Sequence, residues 1–504
     1  MTRPDASPGS GADPASTPQG HDVVVVGAGP AGLACVTTLL DETTLSVCLV
    51  DAGHGAGGQY WRQPAPVDVA TSSEVLSALP GLPHGSSTFD RLRAQLERGR
   101  AEGRLVTRFA HHVWSVTATG SSSSTGEGYA VHVVDRSGRP GGERTLSVTG
   151  RALVLATGAF DRSLPFPGWD LPGVMTVGGV QALLKAGGVP AGRRVAIGGT
   201  GPFLLPVAAA LAARGTTVVG VFEANHPVRW VRESRAVLRN AGKLGEGARY
   251  AGTLLRHRVP VRSRRLIAAA HGTDRVEAVS VLRLDRSGRP VARSIERHAV
   301  DAVGVGWGFT PQLDLAVTLG LRLVGDEGGT PVVEVDRFHR TSRERVYAAG
   351  ETCGVGGADL ALVEGRLAAR GVAVDLDGSG SLVYSTSDHD EASARRLRTF
   401  AAAIMRAHPV PAGWADALTE ATIVCRCEEV SFGAVRAAIE GGAHDARQVK
   451  QLTRTGMGWC QGRVCGYAAA LLSAGVPGDP DERLVSGPLP LGALARTRLG
   501  DNAI

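Results

Sequence analysis

The chain has 504 residues, of which 43% are hydrophobic, and its 54 Lys and Arg against 48 Asp and Glu give a net charge of +6. A soft prior of about 150 residues per domain predicts roughly three domains with a sizeable core. The cations are dispersed and almost all arginine, which argues against a nucleic-acid-binding protein, where they would be concentrated among aromatics. Seven cysteines in so long a chain do not suit a secreted disulfide framework, so a reducing, cytoplasmic location is favoured.

The N-terminal residues give no sign of a targeting segment. Residues 1–20 are rich in Pro, Ser, Gly and Asp and lack the apolar core of a signal peptide, so we expect a disordered leader. The uncharged run 23–40 is long enough for a membrane helix, but its glycines and proline favour a turn that binds a nucleotide. The sequence therefore predicts no transmembrane segment.

The segment 21–51 predicts a strand, a glycine-rich turn, a helix and a second strand that ends in an acid. In such a unit the first glycine permits the tight turn, the second lets a pyrophosphate approach the backbone, and the third lets the helix lie close to the strand. A carboxylate about 20 residues further on accepts hydrogen bonds from a ribose. The predicted dinucleotide-binding residues are Gly27, Gly29, Pro30, Ala31, Gly32 and Asp51.

The next elements continue this unit. Glycines around Gly58 and Gln59 suggest a backbone that wraps closely around a ligand. Helical spacing predicts a helix over 88–104, and alternation predicts a hairpin over 113–134 with its tip at 120–128. An apolar strand then ends in small residues that leave room for a neighbouring nucleotide, namely Ala156, Thr157 and Gly158.

Residues 194–223 repeat the opening unit, with Gly199, Gly201 and Glu223 at the positions of Gly27, Gly29 and Asp51. Leu204, however, stands where Gly32 stands in the first copy, and a leucine there should push helix and strand apart. The second site is therefore expected to bind NAD(P) or another adenine nucleotide weakly, to bind something else, or to be vestigial.

The chain then returns to the first unit. A hairpin is predicted over 276–299, and a glycine-rich strand end follows at 301–311. A later strand leads into a glycine loop with Gly350 and Glu351, where a carboxylate ahead of a helix suits a polyol or phosphate chain. The polar stretch 375–391 predicts a linker.

Four of the cysteines form two close pairs near the C-terminus. Cys425 and Cys427 are separated by one residue, and Cys460 and Cys465 by four, with several glycines nearby. Four thiolates on two short loops suit an iron–sulfur cluster. A structural zinc is the main alternative, although the one-residue gap is tighter than usual zinc spacing.

The chain resembles the flavoproteins related to glutathione and ferredoxin reductases, in which an FAD domain is split by an inserted NAD(P) domain. The resemblance implies an α/β fold of two Rossmann-like dinucleotide-binding domains plus a small helical C-terminal iron–sulfur domain. It also implies that the first glycine turn and Asp51 take the ADP half of FAD, with Gly350 and residue 351 at the ribityl chain. The predicted domains are the leader 1–20, a discontinuous FAD domain 21–165 and 300–374, an insert 166–299, a linker and connecting helix 375–420, an iron–sulfur domain 421–470 and a tail 471–504.

The C-terminal segment is similar to the helical [2Fe-2S] domain of bacterioferritin-associated ferredoxin, although its second cysteine pair is spaced more widely. Together with the GGQYWRQ and LPGVMTVGG stretches, it makes the chain resemble the large subunits of opine oxidase, hydrogen cyanide synthase and heteromeric proline or hydroxyproline dehydrogenases. That resemblance implies a hetero-oligomeric oxidoreductase in which a partner FAD-containing subunit oxidises a C–N bond and this chain passes electrons onward. A small ferredoxin-like subunit is a further expected partner, and membrane association through partners is left open. The alternative is a self-contained NAD(P)H-dependent FAD/[2Fe-2S] reductase.

Overall fold

A computed structural model of the chain describes residues 19–63, 86–119, 128–138, 141–378, 380–478 and 486–495. Residues 1–18 of the predicted leader lie outside this range, and its last two residues begin the first strand. Residues 120–127 of the predicted hairpin tip also lie outside it. No helix within these ranges is long and apolar enough to cross a membrane.

Seven strands form the first sheet: β1 (Gln19–Val26), β2 (Val47–Val50), β3 (Leu105–Arg108), β4 (His111–Thr119), β5 (Gly128–Asp135), β6 (Arg144–Leu155) and β19 (Val346–Ala348). Their order is β3-β2-β1-β6-β5-β4, and β19 pairs with the end of β6. The pairing of β1 with β2 and β6 is parallel, as is that of β6 with β19. The carboxyl ends of β1, β2, β6 and β19 therefore meet at one edge of the sheet, where ligands bind in open α/β folds.

Three helices accompany this sheet: α1 (Pro30–Glu42), α2 (Ser86–Ala101) and α8 (Ala358–Asp377). Apolar residues of α1 and α8 share one core cluster with β1 and β2. The helix predicted over 88–104 is confirmed as α2. The predicted hairpin is confirmed by the antiparallel pairing of β4 with β5.

The second glycine unit forms its own parallel sheet of five strands: β8 (Val174–Thr176), β9 (Arg194–Gly199), β10 (Thr217–Glu223), β11 (Val261–Ser263) and β15 (Ala302–Gly306). Four helices accompany it: α3 (Val177–Gly187), α4 (Leu204–Ala213), α5 (Ser234–Leu238) and α6 (Ala241–Arg256). A separate antiparallel sheet follows β11: β12 (Arg265–His271), β13 (Ala278–Arg283) and β14 (Glu296–Ala299). The antiparallel pair β13–β14 confirms the hairpin predicted over 276–299.

Two segments of the chain connect the two units. The chain leaves the first sheet through β7 (Ala159–Asp161) and returns through β16 (Phe309–Pro311), which pairs with β7 in antiparallel fashion. Before β19 come the short helix α7 (Asp314–Thr318) and the hairpin of β17 (Leu323–Gly325) with β18 (Pro331–Val333). The second unit is thus inserted between β6 and β19 of the first.

A long helix, α9 (Gly380–Ala407), leads to the C-terminal domain. That domain comprises β20 (Ile423–Cys425), β21 (Val430–Ser431), α10 (Phe432–Glu440), α11 (Ala446–Thr453) and α12 (Gly466–Ala474). A short helix, α13 (Leu491–Ala495), follows.

The prediction of a linker over 375–391 is wrong, because α8 runs to Asp377 and α9 begins at Gly380. Asp390 explains the error. Its carboxylate is buried, 2.6 Å from Arg366 and 2.7 Å from Arg370 on α8. Asp390 therefore joins the two helices through ion pairs, and a residue that looks typical of a loop belongs to a contact between helices.

Candidate cofactor sites

The first glycine turn joins β1 to α1 and leaves no room for side chains. Gly27 has a φ of +109°, and a Cβ there would lie 2.2 Å from the carbonyl oxygen of Ala156. A Cβ at Gly32, in the first turn of α1, would lie 1.8 Å from the carbonyl oxygen of Gly27. Helix and strand therefore approach backbone to backbone, as a dinucleotide-binding turn requires.

The N-terminus of α1 faces this turn. Gly29 caps the helix without a side-chain hydrogen bond, and Pro30 is its first residue. Ala31 and Gly32 lie in the first turn, where helical N–H groups have no partner within the helix. Such N–H groups suit a pyrophosphate.

Asp51 lies at the end of β2, beside the glycine turn. Its carboxylate accepts hydrogen bonds from the backbone N–H of Ala28 at 2.5 Å and of Gly53 at 2.6 Å. Burial raises the pKa of Asp51, and the two N–H donors oppose that effect. The acid is therefore held at the edge of the sheet in the position where a ribose would meet it.

The loop with Gly58 and Gln59 folds back over the glycine turn. The N–H of Gly57 donates to the carbonyl oxygen of Ala28 at 2.8 Å, and Gly58 lies against Gly29. Trp61 is buried, and its Nε1 has no hydrogen-bond partner among the described residues. A buried donor without a partner beside the turn is an observation that fits a bound cofactor.

The small residues that follow β6 contact the end of β1 on one side and the residue after β16 on the other. Ala156 donates its N–H to the carbonyl oxygen of Val26 at 2.8 Å, next to the glycine turn. Thr157 Oγ1 donates to the carbonyl oxygen of Gln312 at 2.9 Å, and Gly158 accepts from the N–H of Gln312 at 2.9 Å. These residues therefore lie between the turn and the crossing strand β16.

Glu351 is a partly buried acid close to this group. Burial and the nearby carboxylate of Asp161 raise its pKa to about 7. Asp161 accepts hydrogen bonds from Thr176 Oγ1 at 2.9 Å and from the N–H of Gly178 at 3.1 Å. Glu351 and Asp161 thus bring two carboxyl groups together at the predicted flavin site.

The stability of the cofactor-free protein should fall as the pH rises from 4.5 towards 7 because of Glu351. In that range the unfolded chain releases the Glu351 proton, near the ordinary pKa of 4.5, while the folded chain retains it up to about pH 7. Once Glu351 is ionised in the folded protein, the free energy of unfolding is lower by on the order of 3 kcal/mol. Glu351→Gln should remove this part of the loss. The free energy of unfolding of the variant should therefore rise relative to that of the parent as the pH rises.

Urea unfolding of both proteins at pH 5 and pH 8 (about the two ends of the range) measures the effect. The exposed Glu102→Gln is the control, because no burial acts on it. Equal pH slopes for the parent and Glu351→Gln would contradict the prediction.

Sequence reasoning missed a buried acid on α8. Glu364 is fully buried and accepts a hydrogen bond from the N–H of Gly350 at 2.9 Å, while the Arg398 guanidinium lies 2.9 Å from its other oxygen. Its ligand atoms lie within 4.8 Å of those of His339 and Cys353, a grouping that could hold a metal ion. Arg398 already supplies a cation there, so we interpret the group as a charge network. The signal in the sequence that could have indicated this buried acid was a single Glu on the apolar face of α8.

A cavity of about 460 Å³ lies between the two dinucleotide units. Tyr60 and Trp61 line one part of it, and Lys243 of α6 lines another. Lys243 forms ion pairs with Asp359, in the first turn of α8, at 2.7 Å and with Glu246 at 3.1 Å. The cavity is continuous with the loop that covers the glycine turn, so it belongs to the same candidate site.

The second unit retains its acid, Glu223, and protein groups donate hydrogen bonds to that carboxylate. Glu223 accepts from Thr200 Oγ1 at 2.8 Å, from the N–H of Gly201 at 2.9 Å and from the N–H of Asn225 at 2.9 Å. The Nδ1 atom of His408, just after α9, lies 3.5 Å from the same carboxylate. The two N–H bonds resemble those that Asp51 accepts from Ala28 and Gly53, so Thr200 Oγ1 and His408 are the groups that the first unit lacks at its acid.

Leu204 changes the second unit in a way that the sequence did not predict. We expected the leucine to push helix and strand apart. Instead the leucine is fully buried and α4 begins at Leu204 itself, whereas α1 begins two residues before the matching Gly32. The residues before it form a 3₁₀-type turn, in which the N–H of Leu204 donates to Gly201 at 3.3 Å and that of Leu205 to Pro202 at 3.2 Å, so the start of this helix differs from that of α1. Gly199 retains a positive φ of +127°, like Gly27.

The four C-terminal cysteines come together as two pairs. The thiol of Cys465 donates to the sulfur of Cys425, and Cys427 pairs with Cys460. The hydrogen bond from Cys465, joined by backbone N–H groups, lowers the pKa of Cys425 to about 5. Gly458 packs against Cys427, where a Cβ would lie 2.2 Å from the Cys427 Cβ. This cysteine cage, defined as Cys425, Cys427, Cys460 and Cys465, therefore presents the thiolate donors that a metal centre needs.

The spacing of the cage favours a cluster over a single ion. A tetrahedral zinc holds four sulfurs at about 2.3 Å and so brings all of them close together. Among the described residues, one set of three His, Cys, Asp or Glu side chains has all its ligand atoms within 4.8 Å of one another: His339, Cys353 and Glu364. The four cage thiols interact across both pairs, and four thiolates on two short loops suit a [2Fe-2S] cluster.

The remaining cysteines are isolated and buried. Burial raises the pKa of both Cys35 and Cys48 to about 12. Cys353 is buried as well, and its pKa is also raised. Cys35 and Cys48 are small apolar core residues.

Specific contacts join the C-terminal domain to the rest of the chain. The guanidinium of Arg162, directly after β7, lies 4.0 Å from the ring centre of Tyr467. Trp169 Nε1 donates to the carbonyl oxygen of Ile423 at 2.6 Å, and Arg426 stacks on the Trp169 ring at 4.1 Å. The cage is therefore held in a fixed position relative to the first dinucleotide unit.

A dinucleotide cradle and a four-thiol cage on one frame define a flavin-dependent oxidoreductase with an iron–sulfur domain. Residues 21–374 match the family described as pyridine nucleotide-disulphide oxidoreductase, and residues 423–472 match the BFD-like [2Fe-2S] binding domain. The chain thus belongs to the pyridine nucleotide-disulphide oxidoreductase family and carries a C-terminal BFD-like domain. Its cofactors are FAD and a [2Fe-2S] cluster.

Several proteins are similar over most of their length. One opine oxidase subunit of Rhizobium meliloti is 33% identical over 90% of this chain and 92% of its own. The HcnB subunit of hydrogen cyanide synthase from Pseudomonas aeruginosa is 30% identical over 88% of this chain and 91% of its own. The crystal structure of L-proline dehydrogenase from P. horikoshii has the same fold, with a TM-score of 0.65, 20% identity, and coverage of 95% of this chain and 80% of that one.

Proposed function

We propose that the chain is the electron-relay subunit of a hetero-oligomeric dehydrogenase or oxidase that acts on a C–N bond of an amino acid, imino acid or opine. The observation that carries this proposal is that the flavin cradle and the cysteine cage belong to one frame, joined by the contact of Arg162 with Tyr467. The relatives named as subunits of opine oxidase and hydrogen cyanide synthase support a multi-subunit assembly.

FAD supplies two-electron chemistry, and the cluster supplies one-electron steps. The chain contributes binding and position. We assign the ADP half of FAD to the first glycine turn and Asp51, and the adjoining parts to Gly58, Gln59, Ala156, Thr157, Gly158, Gly350 and Glu351. We assign the cluster to the cysteine cage. We also retain the predicted domains as a proposal, with β15 assigned to the insert because it pairs with β9, and with a helical connection in place of the linker.

The alternative, a self-contained NAD(P)H-dependent reductase, needs a working second nucleotide site. Leu204 in place of a glycine, and the additional contacts of Glu223 with Thr200 and His408, both count against it. We therefore assign Gly199, Gly201 and Glu223 to a site that binds NAD(P) weakly or takes another adenine nucleotide.

We propose that the catalytic partner is an FAD-containing subunit of the amine or amino-acid oxidase type, and that a second partner is a small ferredoxin-like subunit. A cytoplasmic location follows from cysteine usage.

Co-expression with a catalytic subunit of this type should yield a complex that reduces a dye with an amino-acid or opine substrate. Neither chain alone should do so. NADH alone should reduce the flavin of this chain at least roughly a hundredfold more slowly than substrate does in the complex, because Leu204 replaces the third glycine of the second site. Substrate-dependent dye reduction by this chain by itself, or rapid flavin bleaching by NADH, would count against the proposal.

A further inference from the structure

A short loop, residues 57–61, lies over the first glycine turn, and we call it the cover loop. A Cβ at Gly58 would lie 2.8 Å from the Cα of Gly29, so the start of the loop and the turn are in backbone contact. At the other end of the loop Trp61 is buried, and its ring stacks on that of Phe89 with 5.2 Å between the ring centres. The first unit therefore fixes both ends of the cover loop.

A lysine of the second unit reaches the middle of this loop. Lys185 lies in the last turn of α3, and its Nζ donates a hydrogen bond to the carbonyl oxygen of Tyr60 at 2.8 Å. The same Nζ lies 3.5 Å from the carbonyl oxygen of Gln59 and 5.6 Å from the ring centre of Tyr60. This contact joins the two dinucleotide units at the loop that covers the predicted cofactor turn.

The ammonium of Lys185 is costly to place at this position. The residue is partly buried and, within the part of the chain that the structure describes, forms no ion pair with a carboxylate. Burial and the nearby Arg62 guanidinium lower the pKa of Lys185 to about 8. Carbonyl oxygens compensate only part of the hydration that a buried charge loses. An anion beneath the cover loop would supply the rest, and FAD carries a pyrophosphate, which we assign to the first glycine turn.

We infer that Lys185 is a positioning residue, which closes the cover loop over bound FAD and slows the release of the cofactor. This inference rests on the proposed function, which assigns FAD to the first glycine turn. The ammonium donates to the loop carbonyl while its charge attracts the pyrophosphate, so the loop closes more firmly when FAD is present. The second unit, whose own turn has Leu204 in place of the third glycine, thereby acts on the cofactor of the first unit.

The test measures how fast FAD leaves the full-length holoprotein after dilution, from the fluorescence that the flavin regains when it is free. In Lys185→Met, which keeps a long side chain without the ammonium, the dissociation rate should rise about tenfold or more, as expected for loss of a hydrogen bond from a charged donor. Lys185→Arg retains a cation and should keep the rate close to that of the parent. Leu183→Ala is the control, because Leu183 lies on the same helix and is 44% exposed. The FAD-free forms of the parent and of Lys185→Met should unfold at the same temperature, which shows that the variant is folded.

A second measurement uses the scarcity of lysine in the chain. Its three lysines are Lys185, Lys243 and Lys450, so reductive methylation can be followed at each of them by mass spectrometry. Bound FAD should slow the methylation of Lys185 at least about tenfold, because the amine must leave the closed loop to react, and should leave that of Lys450 unchanged.

Equal methylation of Lys185 with and without FAD would overturn the inference. So would a dissociation rate that is unchanged in Lys185→Met, or one that rises as much in Lys185→Arg, since the fit of the side chain rather than its cation would then decide the rate. A parent protein that binds no FAD would contradict the proposed function itself, so the two failures are distinct.

Discussion

Cys460→Ser should abolish the iron–sulfur cluster while leaving FAD in place. Cys460 is buried beside Cys427, and together they form one of the two pairs in the cage. A serine hydroxyl is far harder to deprotonate than a thiol and is a poor ligand for iron, so the cage would lose one of its four bonds. Electron flow from the flavin to a one-electron acceptor should fall by about a hundredfold or more, since one-electron steps depend on the cluster.

Iron and acid-labile sulfide content, together with the visible absorption of the cluster, measures the loss, and the yellow flavin spectrum reports that the first unit is intact. Cys35→Ala is the matched control, because Cys35 is a fully buried thiol on α1 outside the cage. Its iron content should equal that of the parent. A Cys460→Ser protein that binds zinc in place of iron, with a parent that also contains zinc, would show that the cage is a structural metal site.

Much of the fold could be predicted because its elements carry local patterns. The glycines of the first turn are dictated by backbone contact, as the close approach of Gly32 to Gly27 shows. The repeat of this pattern identified the second unit, and the short cysteine spacings identified the cage. Each of these patterns is contained in a few neighbouring residues.

The errors arise where residues distant in sequence meet. The stretch 375–391 was predicted to be a linker, but within it Asp390 pairs with Arg366 and Arg370 of another helix, which no local pattern reveals. Glu364 belongs to no motif, yet its carboxylate accepts a hydrogen bond from the N–H of Gly350. The hydrogen bonds that occupy Glu223, and the approach of His408 from the end of α9, likewise appear only in three dimensions.

Gly32→Ala should largely abolish FAD binding. The added Cβ would lie 1.8 Å from the carbonyl oxygen of Gly27 and 3.5 Å from the Cβ of Ala156. The first of these is a backbone atom, so α1 must move away from β1 to relieve the clash. That movement displaces the N–H groups of the first helical turn from the pyrophosphate position. We expect FAD content to fall at least about tenfold, and the fold to lose on the order of 1–3 kcal/mol from strain and overpacking.

In the second unit Leu204 occupies the matching position, and its helix begins two residues later than α1 does. Gly252→Ala is the control, since it lies within α6 and a Cβ there meets nothing within 4 Å. It should leave FAD content unchanged and stabilise the helix by up to about 1 kcal/mol. Flavin released on denaturation gives the FAD content, and thermal unfolding gives the stability. If Gly32→Ala retained FAD at the parental level while Gly252→Ala did so too, the first glycine turn would not be the pyrophosphate cradle, and the flavin would have to lie elsewhere in the chain.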